Sequence, residues 1–149
     1  RSLYVYWKRT SPHPMMTLFD APSREVSCVK RSRTSTPTQS LALLNEIQRL
    51  ESARMLGQRL LREAKDDTER LDLLFTLLTC RKPTKDERAA CLKLLETLMK
   101  RYQSNVNDAQ SLLAVGSVPR DQKLNPALHA AWMQVSITVL ASDLTLWVY

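Results

Sequence analysis

The feature that most constrains this sequence is a helix-start signal that separates a basic N-terminal segment from the remainder of the chain. Thr36 stands at an N-cap position, Pro37 at the first helical position and Gln39 at the third. In such a capping box the Thr36 hydroxyl accepts a hydrogen bond from the Gln39 amide, and the Gln39 side chain accepts one from the Thr36 amide. The sequence therefore predicts that an α-helix begins at Pro37.

Similar start signals recur further along the chain. Thr84 and Glu87 form a second capping box, and Asn125 precedes Pro126 as a third cap. Apolar residues after Thr36 repeat with the helical period, and the chain has 2 Gly against 7 Pro. We therefore predict a mainly α fold, an irregular bundle of about five or six helices.

The segment before the first capping box predicts little regular structure. Residues 3–7 and 26–29 are rich in β-branched or aromatic residues and are typical of two short strands. A chain of 149 residues is long enough for one core, so we predict a single domain over residues 1–149. Within it, residues 1–35 form a basic irregular segment and residues 36–149 a helical body. Because the chain starts at Arg1 and not at Met, we expect it to be a segment of something longer.

Residues 126–149 are almost uncharged, with Asp143 as the one formal charge. Polar residues interrupt the segment, and a carboxylate at hydrocarbon depth is costly, so we predict no transmembrane segment. We expect a central helix buried on most sides. A lone buried carboxylate needs a partner, so we also predict that Asp143 meets an arginine from residues 1–33.

Positive charge is concentrated at the N-terminus. Residues 1–35 hold seven basic and two acidic residues, out of a net charge of +7 for the whole chain. Two interpretations stay open for this cluster: its arginines clamp an anion next to the helix start at Thr36, or they bind acidic groups and backbone carbonyls to hold an irregular segment in place. The candidate residues are Lys8, Arg9, Asp20, Arg24, Glu25, Arg31, Arg33 and Asp143.

Other kinds of site have weaker support. Trp7 and Tyr4 are candidates for stacking on a sugar ring, although aromatic residues in a half-buried strand are more often core. Nucleic acid is disfavoured because no known nucleic-acid-binding module accompanies the charge. His13 and His129 lie far apart in sequence, and Cys28, Cys80 and Cys91 have no metal-ligand spacing. We assign no catalytic, cofactor-binding or metal-binding residue, and the cysteine pairing stays open.

Several motifs spread along the chain carry a family resemblance: Arg1-Ser2-Leu3-Tyr4, Trp7-Lys8-Arg9-Thr10, Phe19-Asp20-Ala21-Pro22, Thr36-Pro37 with Gln39, Leu43-Leu44-Asn45, Arg81-Lys82-Pro83-Thr84 and Leu112-Leu113-Ala114-Val115-Gly116. They resemble the C-terminal domain of unknown function of large planctomycete-type proteins that often carry a c-type cytochrome segment. The chain departs from that pattern at Ser35, where the family commonly has Asn, and at Glu46-Ile47, where it commonly has Asp-Pro.

The resemblance implies an exported, periplasmic or envelope-associated protein whose haem c, where present, lies in an upstream domain. It supplies no catalytic residues. We therefore expect a non-catalytic structural or interaction module whose partners are upstream domains of the same polypeptide. The alternative is part of an enzyme acting on acidic or sulfated polysaccharide, with its site completed by upstream residues.

Overall fold

The fold is all helical over the part of the chain that a computed structural model describes, which is residues 6–8, 10–32 and 34–146. Within those ranges no strand is present, which confirms the mainly α prediction. The described helices are α1 (Pro14–Leu18), α2 (Pro37–Asn45), α3 (Ile47–Glu63), α4 (Asp67–Thr79), α5 (Lys85–Ser104), α6 (Val106–Leu113), α7 (Pro126–Leu140) and α8 (Asp143–Leu146).

Contacts divide the chain into two compact units, residues 1–43 and residues 44–149, with the division falling inside α2. We call these the N-terminal unit and the C-terminal unit. The N-terminal unit contains the basic segment together with α1 and most of α2.

The strand predictions do not describe the N-terminal unit. The strand predicted over residues 26–29 is wrong: that stretch consists of bends and irregular backbone, and Val26 and Val29 are exposed. A β-branched run needs a neighbouring strand to satisfy its backbone groups, and the described residues supply none. Most of the strand predicted over residues 3–7 lies outside the described residues, while Tyr6 and Trp7 have no regular structure.

The C-terminal unit is built around α7, which packs against α3, α4, α5, α6 and α8. Ten of the 15 residues of α7 are buried, among them Trp132, Met133 and Ile137. Leu60, Leu71, Leu74 and Phe75 from α3 and α4, and Leu95, Tyr102 and Leu113 from α5 and α6, complete the same apolar core. The uncharged segment after Asn125 is therefore a central helix, as its composition predicted.

The helices α3 and α7 approach each other closely at Gly57. A Cβ atom added to Gly57 would lie 3.1 Å from the backbone nitrogen of Met133 and 3.3 Å from the carbonyl carbon of Trp132. A glycine inside a helix costs about 1 kcal/mol relative to alanine. The close approach of α7 explains why glycine stands here.

The central helix α7 is shorter than expected. Residues 126–149 were expected to form one helix, but α7 ends at Leu140 and a turn at Ala141 and Ser142 separates it from α8. The Ser142 and Thr145 hydroxyls hydrogen bond to the Val139 carbonyl and the Leu140 carbonyl, at 2.7 and 2.8 Å. These side chains satisfy the last carbonyls of α7, so the helix has a polar end without a glycine.

Candidate functional site

The candidate site is in the N-terminal unit and begins at the C-terminal end of α1. Asp20 has the left-handed backbone conformation, with φ of 56°. The Ala21 amide donates to the Met16 carbonyl at 2.8 Å, and the Asp20 amide donates to the Thr17 carbonyl at 3.2 Å. This is the Schellman arrangement that usually places glycine at the left-handed position. An aspartate at this position is strained, which indicates that its side chain has another role.

That role is a pair of hydrogen bonds from Thr34. The Thr34 amide and the Thr34 hydroxyl both donate to Oδ2 of Asp20, at 2.9 and 2.7 Å. The Thr34 hydroxyl, then the Thr34 amide, hold the pKa of the Asp20 carboxyl below its ordinary value, and Arg31 contributes in the same direction. Asp20 is therefore ionised at neutral pH, and it joins the end of α1 to Thr34, which lies shortly before α2.

Gln39 connects Thr34 to both helices. Its side-chain oxygen accepts from the Thr36 amide at 3.1 Å, and the Thr36 hydroxyl accepts from the Gln39 amide at 3.3 Å, so both hydrogen bonds of the capping box are present. Its side-chain nitrogen donates to the Leu18 carbonyl at 2.8 Å and to the Thr34 hydroxyl at 3.0 Å. Gln39 is 6% exposed, so these bonds form away from most of the solvent.

Arg31 completes this arrangement by binding carbonyl oxygens. Its Nε donates to the Asp20 carbonyl at 2.9 Å, and its Nη2 donates to the Phe19 carbonyl. Together with Gln39 it satisfies the three carbonyls that end α1. We call Asp20, Arg31, Thr34 and Gln39 the polar network. Of the two interpretations of the basic cluster, the contacts of Arg31 are those of the structural one.

A cleft of about 510 Å³ lies beside the polar network. Two of its lining residues contact each other: the guanidinium carbon of Arg24 lies 5.5 Å from the centroid of the Trp7 ring, a cation–π contact. Arg24 has the left-handed conformation, with φ of 63°. The described residues that line the cleft are mostly apolar: Trp7, Met15, Met16, Phe19, Ala21, Pro22, Arg24 and Arg31.

The remaining predicted residues are dispersed. Lys8 and Glu25 are exposed, and Arg9, Arg33 and Tyr4 lie outside the described residues. Asp143 is exposed in the first turn of α8, so burial does not demand a partner for its carboxylate. Its pairing with an arginine of residues 1–33 stays a prediction.

The other helix caps belong to the C-terminal unit. Thr84 and Glu87 make both hydrogen bonds of the second capping box, and the Asn125 side chain accepts from the Ala127 amide at 2.9 Å. Arg81 also binds Glu87 through both terminal nitrogens, at 2.8 and 2.6 Å. Arg81 and the Thr84 contacts lower the pKa of Glu87 to about 2. These caps define helix ends.

Sequence reasoning missed a second group of polar residues, on α3. Arg54 is 1% exposed and donates to the Leu113 carbonyl at 3.0 Å and to the Val118 carbonyl, while Glu51 accepts from the Val118 amide at 2.6 Å. These contacts fix the loop after α6. Arg54 lies three residues before Gly57, on the buried face of α3. A charged residue on an otherwise apolar helix face is the sequence signal that could have identified it.

The interior also contains a histidine. His129 is fully buried, and its Nε2 lies 3.0 Å from the Arg54 carbonyl, which can only accept, so Nε2 carries the proton. Burial lowers the pKa of His129. His13 caps α1 instead, where its Nδ1 accepts from the Met15 amide. Among the described residues no His, Cys, Asp and Glu side chains are grouped as metal ligands, and the three cysteines are free.

Comparison with known proteins matches the chain to a protein family. The sequence model of a family described as PSD1, protein of unknown function (DUF1553), matches residues 1–95, which include the polar network and the cleft. No curated protein matches the chain, and no solved structure matches it. None of the helices in the described ranges has both the length and the apolar composition needed to cross a membrane. Because the match covers more than half of the sequence, the chain belongs to the DUF1553 family of proteins of unknown function.

Proposed function

We propose that this chain is a non-catalytic interaction module of a larger exported, cytochrome-associated planctomycete-type protein, and that the N-terminal unit carries its binding surface. The proposal rests on the arrangement of polar side chains and of the cleft around α1. Asp20, Arg31, Thr34 and Gln39 bind one another and the carbonyls that end α1, and the cleft next to them is left open. Polar groups thus shape the surface, and apolar side chains line it.

The state of the Asp20 carboxyl supports a binding role over a catalytic one. A general acid at neutral pH needs a raised pKa, whereas hydrogen bonds from Thr34 lower the pKa of Asp20. Both hydrogen bonds converge on the same carboxylate oxygen, so the group is held in place as an acceptor. It stabilises the cleft wall.

The test uses the full open reading frame. We expect a signal peptide and a C-x-x-C-H haem-attachment motif upstream of residues 1–149. Residues 1–149 and the upstream part are then purified separately and mixed in a calorimeter. The proposal predicts saturable binding with one-to-one stoichiometry. Absence of binding, under conditions where both parts are folded, would contradict it.

The second candidate is part of an enzyme acting on acidic or sulfated polysaccharide. It is favoured by one observation, the guanidinium of Arg24 over the Trp7 ring at the mouth of the cleft, since aromatic rings and cations recur where anionic sugars bind. Turnover of a sulfated or uronic polysaccharide by the full polypeptide, reduced when Arg24 is replaced by Gln, would favour this function over the first.

A further inference from the structure

The apolar side chains of α1 are only half-buried in the part of the chain that is described. They are Met15, Met16 and Leu18, with Phe19 at the cap, and none of them is fully buried. Met15, Met16 and Phe19 contribute instead to the cleft, with Ala21 and Pro22 continuing its apolar wall. A volume of about 510 Å³ is within the range of pockets that take ligands of moderate size.

Two guanidinium groups flank these apolar residues, and both are positioned by neutral partners. Arg31 donates to the carbonyls of Phe19 and Asp20, and Arg24 lies over the Trp7 ring. Neither a carbonyl nor an indole neutralises a positive charge. The Asp20 carboxylate stays ionised and offsets part of the charge of Arg31, but it is not among the described residues that line the cleft, whereas both guanidinium groups are. The cleft therefore combines an apolar floor with a net positive rim.

From this combination we propose that the cleft binds an acidic peptide segment, with one aromatic or long aliphatic side chain in the apolar floor and carboxylates on Arg24 and Arg31. The proposal deepens the interaction role above and rests on it. Methionine side chains are flexible and polarizable, which suits a surface that accepts an inserted side chain. Bidentate binding of carboxylates is the geometry that arginine provides best.

The lining favours a peptide over a sugar chain. Sugar rings stack on open aromatic faces and need many hydrogen-bond partners around their hydroxyls. Here five of the described lining residues are Met15, Met16, Phe19, Ala21 and Pro22, whose side chains offer no polar hydrogen. An apolar anchor flanked by carboxylates satisfies both the floor and the rim.

The experiment measures fluorescence anisotropy with the 149-residue chain in 0.15 M salt. The probe is a labelled pentapeptide with a central tryptophan flanked on each side by two aspartates. One control peptide replaces the tryptophan by serine, and a second replaces the aspartates by lysines. We expect saturable binding of the first peptide alone, because the floor and the rim must both be matched.

Two protein variants distinguish binding in the cleft from general electrostatic attraction to the basic segment. Arg24→Gln removes a rim charge and should weaken binding about tenfold, whereas Lys30→Gln removes an exposed charge of the same segment outside the cleft lining and should change it less than about twofold. Equal effects of the two variants, or equal binding of the serine peptide, would overturn the proposal. So would binding of heparin without binding of the peptide. If the chain binds its upstream polypeptide but not the probe, the peptide inference fails and the interaction role stands.

Discussion

Each of the two units is stabilised internally by a different kind of interaction. In the N-terminal unit, α1 buries no residue, and side chains such as Arg31 and Gln39 hold it through hydrogen bonds to its carbonyls. In the C-terminal unit, α7 buries ten of its 15 residues in an apolar core shared with α3, α4, α5 and α6. Hydrogen bonds contribute modestly to net stability because water competes for them, whereas apolar burial is the main favourable term.

The comparison shows that the polar network determines local geometry, whereas the apolar core supplies stability. The polar network gives residues 14–32 and 34–39 a defined geometry, while Met15, Met16 and Phe19 stay half-buried along the cleft, as the proposed binding surface requires. The core around α7 does the opposite, since it hides its apolar side chains and exposes few of them. The following changes are expected to affect the two units unequally.

The largest effect is expected from Trp132→Ala in α7. Trp132 is fully buried, and removing its ring leaves a cavity that the surrounding helices fill only in part. We expect the free energy of unfolding to fall by about 3–5 kcal/mol, measured by urea denaturation. Trp132→Phe is the matched control, and it should cost less because it keeps a ring and removes an indole nitrogen that has no hydrogen-bond partner among the described residues. Equal costs for the two variants would argue against cavity formation as the cause.

The next effect tests the crossing of α3 and α7. Gly57→Leu places a side chain against the backbone of Met133, where even a Cβ atom would lie at 3.1 Å. We expect a loss of about 1–3 kcal/mol in thermal or urea unfolding. Ala90→Leu on the exposed face of α5 is the control and should change stability little. A neutral Gly57→Leu would show that the helices separate easily.

In the N-terminal unit the expected effect is local. Asp20→Ala removes the acceptor of both Thr34 hydrogen bonds and puts a poorly suited residue at φ of 56°. We expect limited proteolysis between residues 20 and 36 to become about fivefold faster, with the unfolding midpoint of the C-terminal unit unchanged. Asp20→Asn retains an acceptor and tolerates the backbone conformation, so it should be cleaved at a rate closer to that of the wild type.

The smallest effect is a pH dependence at the start of α5. The pKa of Glu87 is about 2 in the folded protein, below its ordinary value of 4.5, so its contribution is present above pH 4.5 and is lost as the pH falls towards 2. Because the group is near the surface, we expect Glu87→Gln to lower the thermal midpoint by about 1–3 °C at pH 7 and by less at pH 3. Asp86→Asn, at the same helix end, is the control. A difference that grows on acidification would contradict this account.

Local signals in the sequence were sufficient for the helix starts and for the class of fold. Thr36, Thr84 and Asn125 act on amides two or three residues away, so their spacing alone specifies the interaction. The buried face of α7 followed from its lack of charge. Gly57 marked a close helix crossing because a glycine inside a helix needs a reason.

The errors arise where distant residues decide the outcome. Residues 26–29 have strand-like composition, but a strand forms only with a partner. Arg31 binds carbonyls 11 and 12 residues earlier in the chain, and no local pattern distinguishes that from an ion pair. The end of α7 at Leu140 depends on hydroxyls of Ser142 and Thr145 that are also compatible with a continuing helix. The cleft was missed because its lining comes from residues 7–31, which only the fold of α1 and its neighbours brings together.

Hydrogen bonds through Thr34 order the cleft segment, whereas the apolar core orders α7. Hydrogen–deuterium exchange in Thr34→Val tests this difference directly, because this change removes the hydroxyl that joins Asp20 to Gln39 and keeps the shape of the side chain. We predict faster exchange of amides in residues 14–21 and 34–40 and unchanged exchange in α7. Unchanged exchange in both regions, or an equal increase in α7, would contradict the account.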